Sequence, residues 1–221
     1  MIDTHDLKSR DHYLNKLIAF RDTEPVKVVT GIRRCGKSSL LKLMVQHLKD
    51  TGIGEDQIIE MNFESHEFKK MNADDFYHYV KERVLPGKRM DLFFDELQRI
   101  DHWEDTVNSF RVDFNCDIYI TGSNAFLLSS DLATLFTGRT FEIKVYPFSF
   151  AEYVNYFGHT DKYTAFDNYM LEGGMSGSYL YKEQEDKYDY IENIFDTLIL
   201  RDIQQKYNIK NPLQIICIVI I

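Results

Sequence analysis

The sequence is poor in the residues that crosslink a chain or anchor it in a membrane. It has three cysteines, four prolines and one tryptophan among 221 residues. Cys35, Cys116 and Cys217 are far apart and form no C-x-x-C pair, so neither a disulfide framework nor a zinc site is predicted, and a reduced cytoplasmic setting fits. No apolar run approaches the roughly 20 residues of a membrane span. The first eleven residues are polar and lack the features of a secretion signal.

Positive charge is also scarce. The chain has 26 basic and 35 acidic residues, a formal net charge of −9 and a sequence pI of about 5.3. This balance argues against a general nucleic-acid-binding surface, although a local basic patch stays open. The tyrosine-rich region after residue 150 could stack on bases, but the acidic residues around Tyr188 and Tyr190 favour packing or partner contacts.

One glycine-containing segment dominates the functional interpretation. Residues 31–38, Gly-Ile-Arg-Arg-Cys-Gly-Lys-Ser, fit the phosphate-binding pattern G-x-x-x-x-G-K-[ST]. The glycines allow backbone N–H groups to surround an anion, Lys37 supplies a charge for the β- and γ-phosphates, and Ser38 offers a hydroxyl to Mg²⁺. The predicted nucleotide-binding residues are Gly31, Arg34, Cys35, Gly36, Lys37, Ser38 and Ser39.

Two of these assignments have structural alternatives. Cys35 could block nucleotide binding when oxidised, or it could simply fill a tolerant loop position. Arg33 and Arg34 could touch the nucleotide or a preceding acid, or they could be solvated or structural side chains.

The loop stands in the context that the pattern requires. Alternating strand and helix patterns run through the first 150 residues, which predicts a parallel sheet with helices on both faces and ligands at the carboxyl ends of its strands. The predicted strands are 26–29, 57–63, 90–96, 117–123 and 140–146. The predicted helices are 5–21, 39–48, 73–84, 103–112 and 125–136.

Polar side chains follow two of these strands. Asp95 ends the third strand, where it can hold Mg²⁺ through water opposite Ser38. Glu96 comes next and can act as the general base that activates water. Thr121 or Ser123, at the tip of the fourth strand, could sense phosphate or orient water; the alternative is an N-cap for the helix that follows.

Arg139 is the last catalytic candidate. Its guanidinium suits the charge that develops on a transferred phosphoryl group, either in its own subunit or in a neighbour's site. The alternative is a surface arginine beside the helix stop at Gly138.

Several motifs occur together in this chain. They are residues 30–38, Asn62-Phe63-Glu64, 94–98, Trp103-Glu104, 119–125, Thr137-Gly138-Arg139 and 147–153. Together they resemble the AAA-type ATPase domain of a large prokaryotic family, whose members are usually about 400 residues long. The match covers roughly residues 10–155. The resemblance implies an additional-strand, catalytic-glutamate P-loop fold with strand order 5-1-4-3-2, and ATP rather than GTP.

After Pro147 the strand pattern stops, and helices are predicted over 149–157, 161–171 and 185–207. We therefore expect an ATP-binding domain over residues 1–150 and the helical start of a C-terminal domain over 151–221. Residues 172–175 and 200–203 resemble the start of that family's C-terminal domain, which is usually much longer. The apolar ending 215–221 suggests a truncated chain, with an ordinary terminal strand as the alternative.

The leading functional hypothesis is a Mg²⁺-dependent ATPase whose nucleotide state switches the C-terminal segment. The alternative is a nucleotide-bound interaction module without turnover. A small-molecule kinase shares the loop and the acid, but the Asp95–Glu96 pair favours water as the acceptor. The expected partner is ATP, with a protein partner or self-association left open, and no membrane.

Overall fold

The structure, a computed structural model, describes residues 7–122 and 138–197. Its strands are β1 (Val26–Thr30), β2 (Ile58–Asn62), β3 (Met90–Asp95), β4 (Cys116–Thr121) and β5 (Thr140–Lys144). Its helices are α1 (Asp11–Ala19), α2 (Lys37–Asp50), α3 (Ala73–Lys81), α4 (Trp103–Asp113), α5 (Phe150–Phe157), α6 (Lys162–Glu172) and α7 (Gln184–Thr197).

The strands form one parallel sheet in the order β2-β3-β4-β1-β5. Read from the other edge this is 5-1-4-3-2, so the predicted fold and strand order are confirmed. Strands β1 and β3 are buried along their whole length, as expected for strands with neighbours on both sides and helices on both faces. Strands β2 and β5 alternate between buried and exposed residues, as edge strands do.

The element ends differ from the predictions by a few residues. Helix α1 begins at Asp11 rather than near residue 5 and ends at Ala19, because the chain turns away at Asp22, where φ is +61° and the backbone N–H donates to Asp117. Helix α3 ends at Lys81 and strand β5 at Lys144. The predicted helix 125–136, the rest of the helix predicted to 207 and the apolar ending lie outside the described residues.

An aromatic core fills one face of the sheet. Phe76 of α3 lies 4.8 Å from Phe94 of β3 and 5.0 Å from Phe110 of α4, both edge to face. Phe63, just after β2, lies 5.2 Å from Phe76. Such pairs add about 0.5–1.5 kcal/mol each beyond burial, so this cluster fixes the helices against the strands that carry the polar tips.

Contacts divide the chain into two compact units. The first joins Met1–Thr30 to Lys37–Lys144 and holds the sheet; the second joins Gly31–Gly36 to Val145–Ile221. Within the second unit, Tyr153 of α5 lies 5.3 Å from Tyr169 and 5.6 Å from Tyr179. These tyrosines pack against one another, which agrees with the packing interpretation of the tyrosine-rich region.

A buried group of charges lies at the amino ends of the strands, opposite the polar tips. Lys27 of β1 is fully buried, forms an ion pair with Asp117 of β4 and donates to the Thr23 carbonyl at 3.0 Å. Tyr119 donates to Asp117 at 3.1 Å. Asp91 of β3 is also buried, but one of its carboxylate oxygens has no hydrogen-bond partner within the described chain.

The burial of the Asp91 carboxylate makes the free energy of unfolding depend on pH. Burial raises its pKa to about 6; Arg21 and Arg89 lower it, while Asp117 and Asp22 raise it. Between the ordinary value of 3.8 and about 6 the folded state binds more protons than the unfolded state, so Asp91 costs stability as pH rises through that window.

We therefore expect Asp91→Asn to stabilise the protein above pH 6. The gain in the free energy of unfolding should grow from a few tenths of a kcal/mol at pH 4 to about 3 kcal/mol at pH 7. Urea unfolding of both proteins at a series of pH values measures it. A difference between variant and wild type that stays constant from pH 4 to 7 would contradict the assignment.

Candidate nucleotide site

The loop Gly31–Gly36 joins β1 to α2 and has an unusual backbone. Gly31, Arg34 and Gly36 have φ values of +152°, +66° and +99°. A Cβ atom on Gly31 would lie 2.3 Å from the Val145 carbonyl oxygen and 2.6 Å from the Cys35 sulfur, so only glycine fits there. The buried Cys35 thiol thus packs beside Gly31, which favours its structural alternative, and Arg34 is exposed.

Helix α2 begins with the three polar residues that the pattern predicted. Lys37 is buried, whereas Ser38 and Ser39 are half-buried. The first turn of α2 contains no acidic residue. The helix itself therefore places no carboxylate at the positive end of its dipole, an arrangement that suits the binding of an anion.

Asp95 is the centre of a hydrogen-bond network in the first unit. Ser38 Oγ donates to Asp95 Oδ1 at 3.0 Å, and Thr121 Oγ1 donates to the same oxygen. Asn62 Nδ2 donates to Asp95 Oδ2 at 2.9 Å. The sheet order explains this convergence: Asn62, Asp95 and Thr121 are each the last residue of neighbouring strands. The network fixes the rotamer of the carboxylate.

Glu96 leaves the strand in a left-handed conformation, with φ +58° and ψ +43°. Such a conformation costs free energy for a residue with a Cβ and is found preferentially at functional sites. It is held by Thr121, whose Oγ1 accepts the Glu96 backbone N–H at 3.1 Å. The Glu96 carboxylate in turn accepts a hydrogen bond of 2.6 Å from Gln98 Nε2. Thr121 therefore connects the metal-ligand candidate to the base candidate.

Asn62 and Gln98 are site residues that sequence reasoning did not assign. Both belong to motifs quoted for the family resemblance, without a role. Asn62 could have been found as the polar last residue of the strand beside β3, since its register partner is Asp95. Gln98 carries no such signal, because its contact with Glu96 depends on the turn that the left-handed residue makes.

The oxygen ligands are suitable for Mg²⁺. A serine hydroxyl and a carboxylate 3.0 Å apart are hard ligands of the kind this ion takes, with water and phosphate oxygens completing the shell. Within the described ranges, His, Cys, Asp and Glu form no cluster of three or more that could hold a metal by themselves.

The structure does not bring Arg139 to this network. Arg139 is exposed and stands just before β5, where its carbonyl accepts the backbone N–H of Val26. It lies at the amino ends of the strands, while Asp95 and Thr121 lie at the carboxyl ends. A five-residue strand is roughly 17 Å long, more than an arginine side chain can span. Ser123, the other strand-four candidate, lies outside the described residues.

Thr121→Val should test the link between the two acids. Valine keeps the shape but loses the hydroxyl, which leaves the Glu96 N–H and one Asp95 oxygen with fewer partners. We expect the free energy of unfolding to fall by about 1–3 kcal/mol. Chemical denaturation measures it, with Thr121→Ser, which retains the hydroxyl, as the control. Equal losses in both variants would show that the methyl group rather than the hydroxyl matters.

The fold and the site together define a P-loop ATPase domain of the AAA type. The sequence profile of the AAA domain matches residues 23–154, more than half of the chain. The chain belongs to this family. Within the described ranges, no helix combines the length and apolar composition needed to cross a membrane.

The chain is similar to two proteins of unassigned function. The chain is 38% identical over 209 residues to an uncharacterized protein of Haemophilus influenzae, covering 92% of this chain and 52% of that protein. It is 26% identical to the uncharacterized protein MJ1544 of Methanocaldococcus jannaschii, covering 96% and 49%. The chain thus spans about half the length of these curated relatives.

Among solved structures, the fold is similar to the Walker-type ATPase PABY2304 of Pyrococcus abyssi, with a TM-score of 0.62, 16% identity, and coverage of 92% of this chain and 77% of that one. It is also similar to Hsp104 of S. cerevisiae in a complex with casein, with a TM-score of 0.51, 14% identity, and coverage of 89% and 38%. At these identities the likeness shows the fold alone.

Proposed function

We propose that this chain binds ATP with Mg²⁺ and hydrolyses it. The observation that carries the proposal is the network in which Ser38, Thr121 and Asn62 all donate to Asp95, while Thr121 also holds the backbone of Glu96. This arrangement sets a metal-ligand pair next to a candidate base. The left-handed backbone of Glu96, which Thr121 holds, supports a role for this turn beyond connecting two elements.

Each residue then has a role that its position supports. Lys37 and the backbone N–H groups at the start of α2 bind the phosphates. Ser38 and Asp95 hold Mg²⁺, directly and through water, and the ion offsets charge on the β- and γ-phosphates. Glu96 takes a proton from the attacking water. Thr121 fixes the distance between Asp95 and Glu96.

Arg139 fits a role in a neighbour's site better than one in its own. It is exposed at the amino ends of the strands, whereas Asp95 lies at their carboxyl ends. A second copy of the chain could place this guanidinium at the γ-phosphate, where arginine stabilises the charge of the transition state. The proposal therefore includes self-association, at least while ATP is hydrolysed.

The nucleotide state is proposed to switch the C-terminal segment. Support comes from the second unit, which contains both the loop Gly31–Gly36 and the chain from Val145 onward. Gly31 lies against this segment, because there is no room for a Cβ beside the Val145 carbonyl. A change in the loop on loss of the γ-phosphate would therefore act on the chain that leaves β5.

Mg²⁺-ATP hydrolysis per chain, measured over a range of protein concentrations with Glu96→Gln as the blank, tests the proposal. We expect turnover above the blank that rises per chain with concentration. Turnover that stays flat would mean a site complete within one chain. ATP binding with turnover no faster than the blank would instead favour an interaction module that only binds nucleotide.

A further inference from the structure

Two of the sequence motifs, residues 147–153 and 172–175, contact each other within the second unit. The backbone N–H of Phe148 donates to the Gly174 carbonyl at 2.7 Å. A Cβ atom on Gly174 would lie 2.3 Å from the Phe148 carbonyl oxygen, so the two backbones approach too closely for any residue but glycine. The chain that enters α5 is therefore fixed to the chain that leaves α6.

The carboxylate of Glu172 connects the same two helices to a third. Glu172 is the last residue of α6, and its Oε2 accepts a hydrogen bond of 3.0 Å from the Tyr153 hydroxyl of α5. Its Oε1 accepts one of 2.5 Å from the Lys187 ammonium in the first turn of α7. The side chains of Lys187 and Glu172 are only 11% and 17% exposed. We call these three side chains the Glu172 joint.

The joint responds sharply to small movements. A displacement of about 1 Å is enough to break hydrogen bonds of this kind. A largely shielded ion pair that loses one partner leaves an uncompensated charge, which is costly. The joint is therefore either intact or broken, and such two-state contacts turn small shifts into larger rearrangements.

A short segment connects the joint to the phosphate loop within the second unit. Val145 lies against Gly31, where no Cβ has room. Three residues later, the Phe148 carbonyl accepts a hydrogen bond of 2.7 Å from the Tyr169 hydroxyl of α6. Three residues span at most about 11 Å, and Pro147 fixes one backbone angle between them. This segment can absorb little displacement, so a shift at Gly31 reaches α6.

We propose that the Glu172 joint carries the nucleotide state from the phosphate loop to α7: it holds α7 while ATP is bound and breaks after hydrolysis. The inference rests on the proposed binding of ATP and the proposed switch, and it names the contacts through which that switch acts. Coupling between two sites is reciprocal. An intact joint must therefore raise the affinity for ATP relative to ADP by the same factor by which ATP stabilises α7.

Hydrogen exchange of the amides of α7 tests this in a Glu96→Gln chain, which keeps bound ATP from being hydrolysed. We expect residues 184–197 to exchange at least about fivefold more slowly with Mg²⁺-ATP than with Mg²⁺-ADP. Lys187→Met removes the charge and keeps most of the side-chain length. It should reduce this difference to less than about twofold, and lower the preference for ATP over ADP in titrations by the factor that is lost.

Lys88→Met is the matched control. Lys88 also donates to a carboxylate, that of Asp56 at 3.2 Å, but both side chains are about half exposed. This variant should keep the full difference between ATP and ADP, and Lys187→Arg, which keeps the charge, should keep most of it. If α7 of Lys187→Met exchanges as an unfolded peptide even without nucleotide, Tyr153→Phe is the second variant. It removes only the hydroxyl, and it should reduce the difference as well.

The outcomes separate the proposals. A Glu96→Gln chain that binds no ATP would overturn the proposed function and this inference with it. Binding of both nucleotides with equal exchange of α7 would overturn the switch and the joint, but not hydrolysis, which turnover measures separately. A difference that persists in Lys187→Met and in Tyr153→Phe would overturn the joint alone. An equal loss in Lys88→Met would show an unspecific effect and would also overturn it.

Discussion

Replacing Glu96 by glutamine should abolish most ATP turnover and leave ATP binding intact. The amide is nearly the same size as the carboxylate and can still meet Gln98, but it cannot accept a proton from water. General base catalysis typically contributes 10²–10⁴-fold, so we expect kcat to fall by about that factor. Steady-state hydrolysis and titration with a fluorescent ATP analogue measure the two quantities separately.

The expected loss is specific to the base. The variant keeps Lys37, Ser38 and Asp95, which are the residues proposed to hold the phosphates and Mg²⁺. Glu60→Gln is the matched control, because it makes the same chemical change at an exposed position of β2. Wild-type turnover by Glu96→Gln would show that Glu96 is not the base.

The hydrogen-bond network around Asp95, at the carboxyl ends of the strands, was largely predictable from the sequence. The strand order follows from the family resemblance, and it places the last residues of β2, β3 and β4 side by side. Asp95 therefore had to lie near the tip of β4, and Ser38 had to begin the helix above it. The structure brings Ser38, Asp95, Glu96 and Thr121 together as expected.

Features that depend on exact side-chain geometry could not be predicted in this way. The sequence Val-Lys-Val-Val at β1 indicates a buried strand, but it does not say that Lys27 pairs with Asp117. That pair requires β1 to lie beside β4, in a register that aligns Lys27 with Tyr119. The contact between Gln98 and Glu96 likewise requires a left-handed residue that no propensity favours for glutamate.

The position of Arg139 was the least predictable, because the sequence could not distinguish action in its own subunit from action in a neighbour. Its guanidinium suggested a role at the transferred phosphoryl group. In the sheet, however, Arg139 precedes β5. It therefore lies at the amino ends of the strands, whereas Asp95 lies at their carboxyl ends. This geometry favours action of Arg139 in a neighbour's site.

Arg139→Ala should lower turnover on the order of 10³-fold, as expected when an arginine at the transferred phosphoryl group is lost. Arg139→Lys should recover little of it, because a point charge does not replace the planar guanidinium. Arg83→Ala, which removes an exposed arginine at the end of α3, is the matched control and should retain wild-type turnover. Steady-state hydrolysis at high protein concentration measures all three.

Mixing two inactive variants decides where Arg139 acts. A Glu96→Gln chain lacks its own base but carries an intact Arg139, whereas an Arg139→Ala chain has the reverse defect. In an equal mixture, a site is active when an Arg139→Ala chain meets a Glu96→Gln neighbour, so about one quarter of wild-type turnover should return if arginine acts between subunits. If Arg139 acts within its own chain, both defects stay where they are and the mixture remains as inactive as its components.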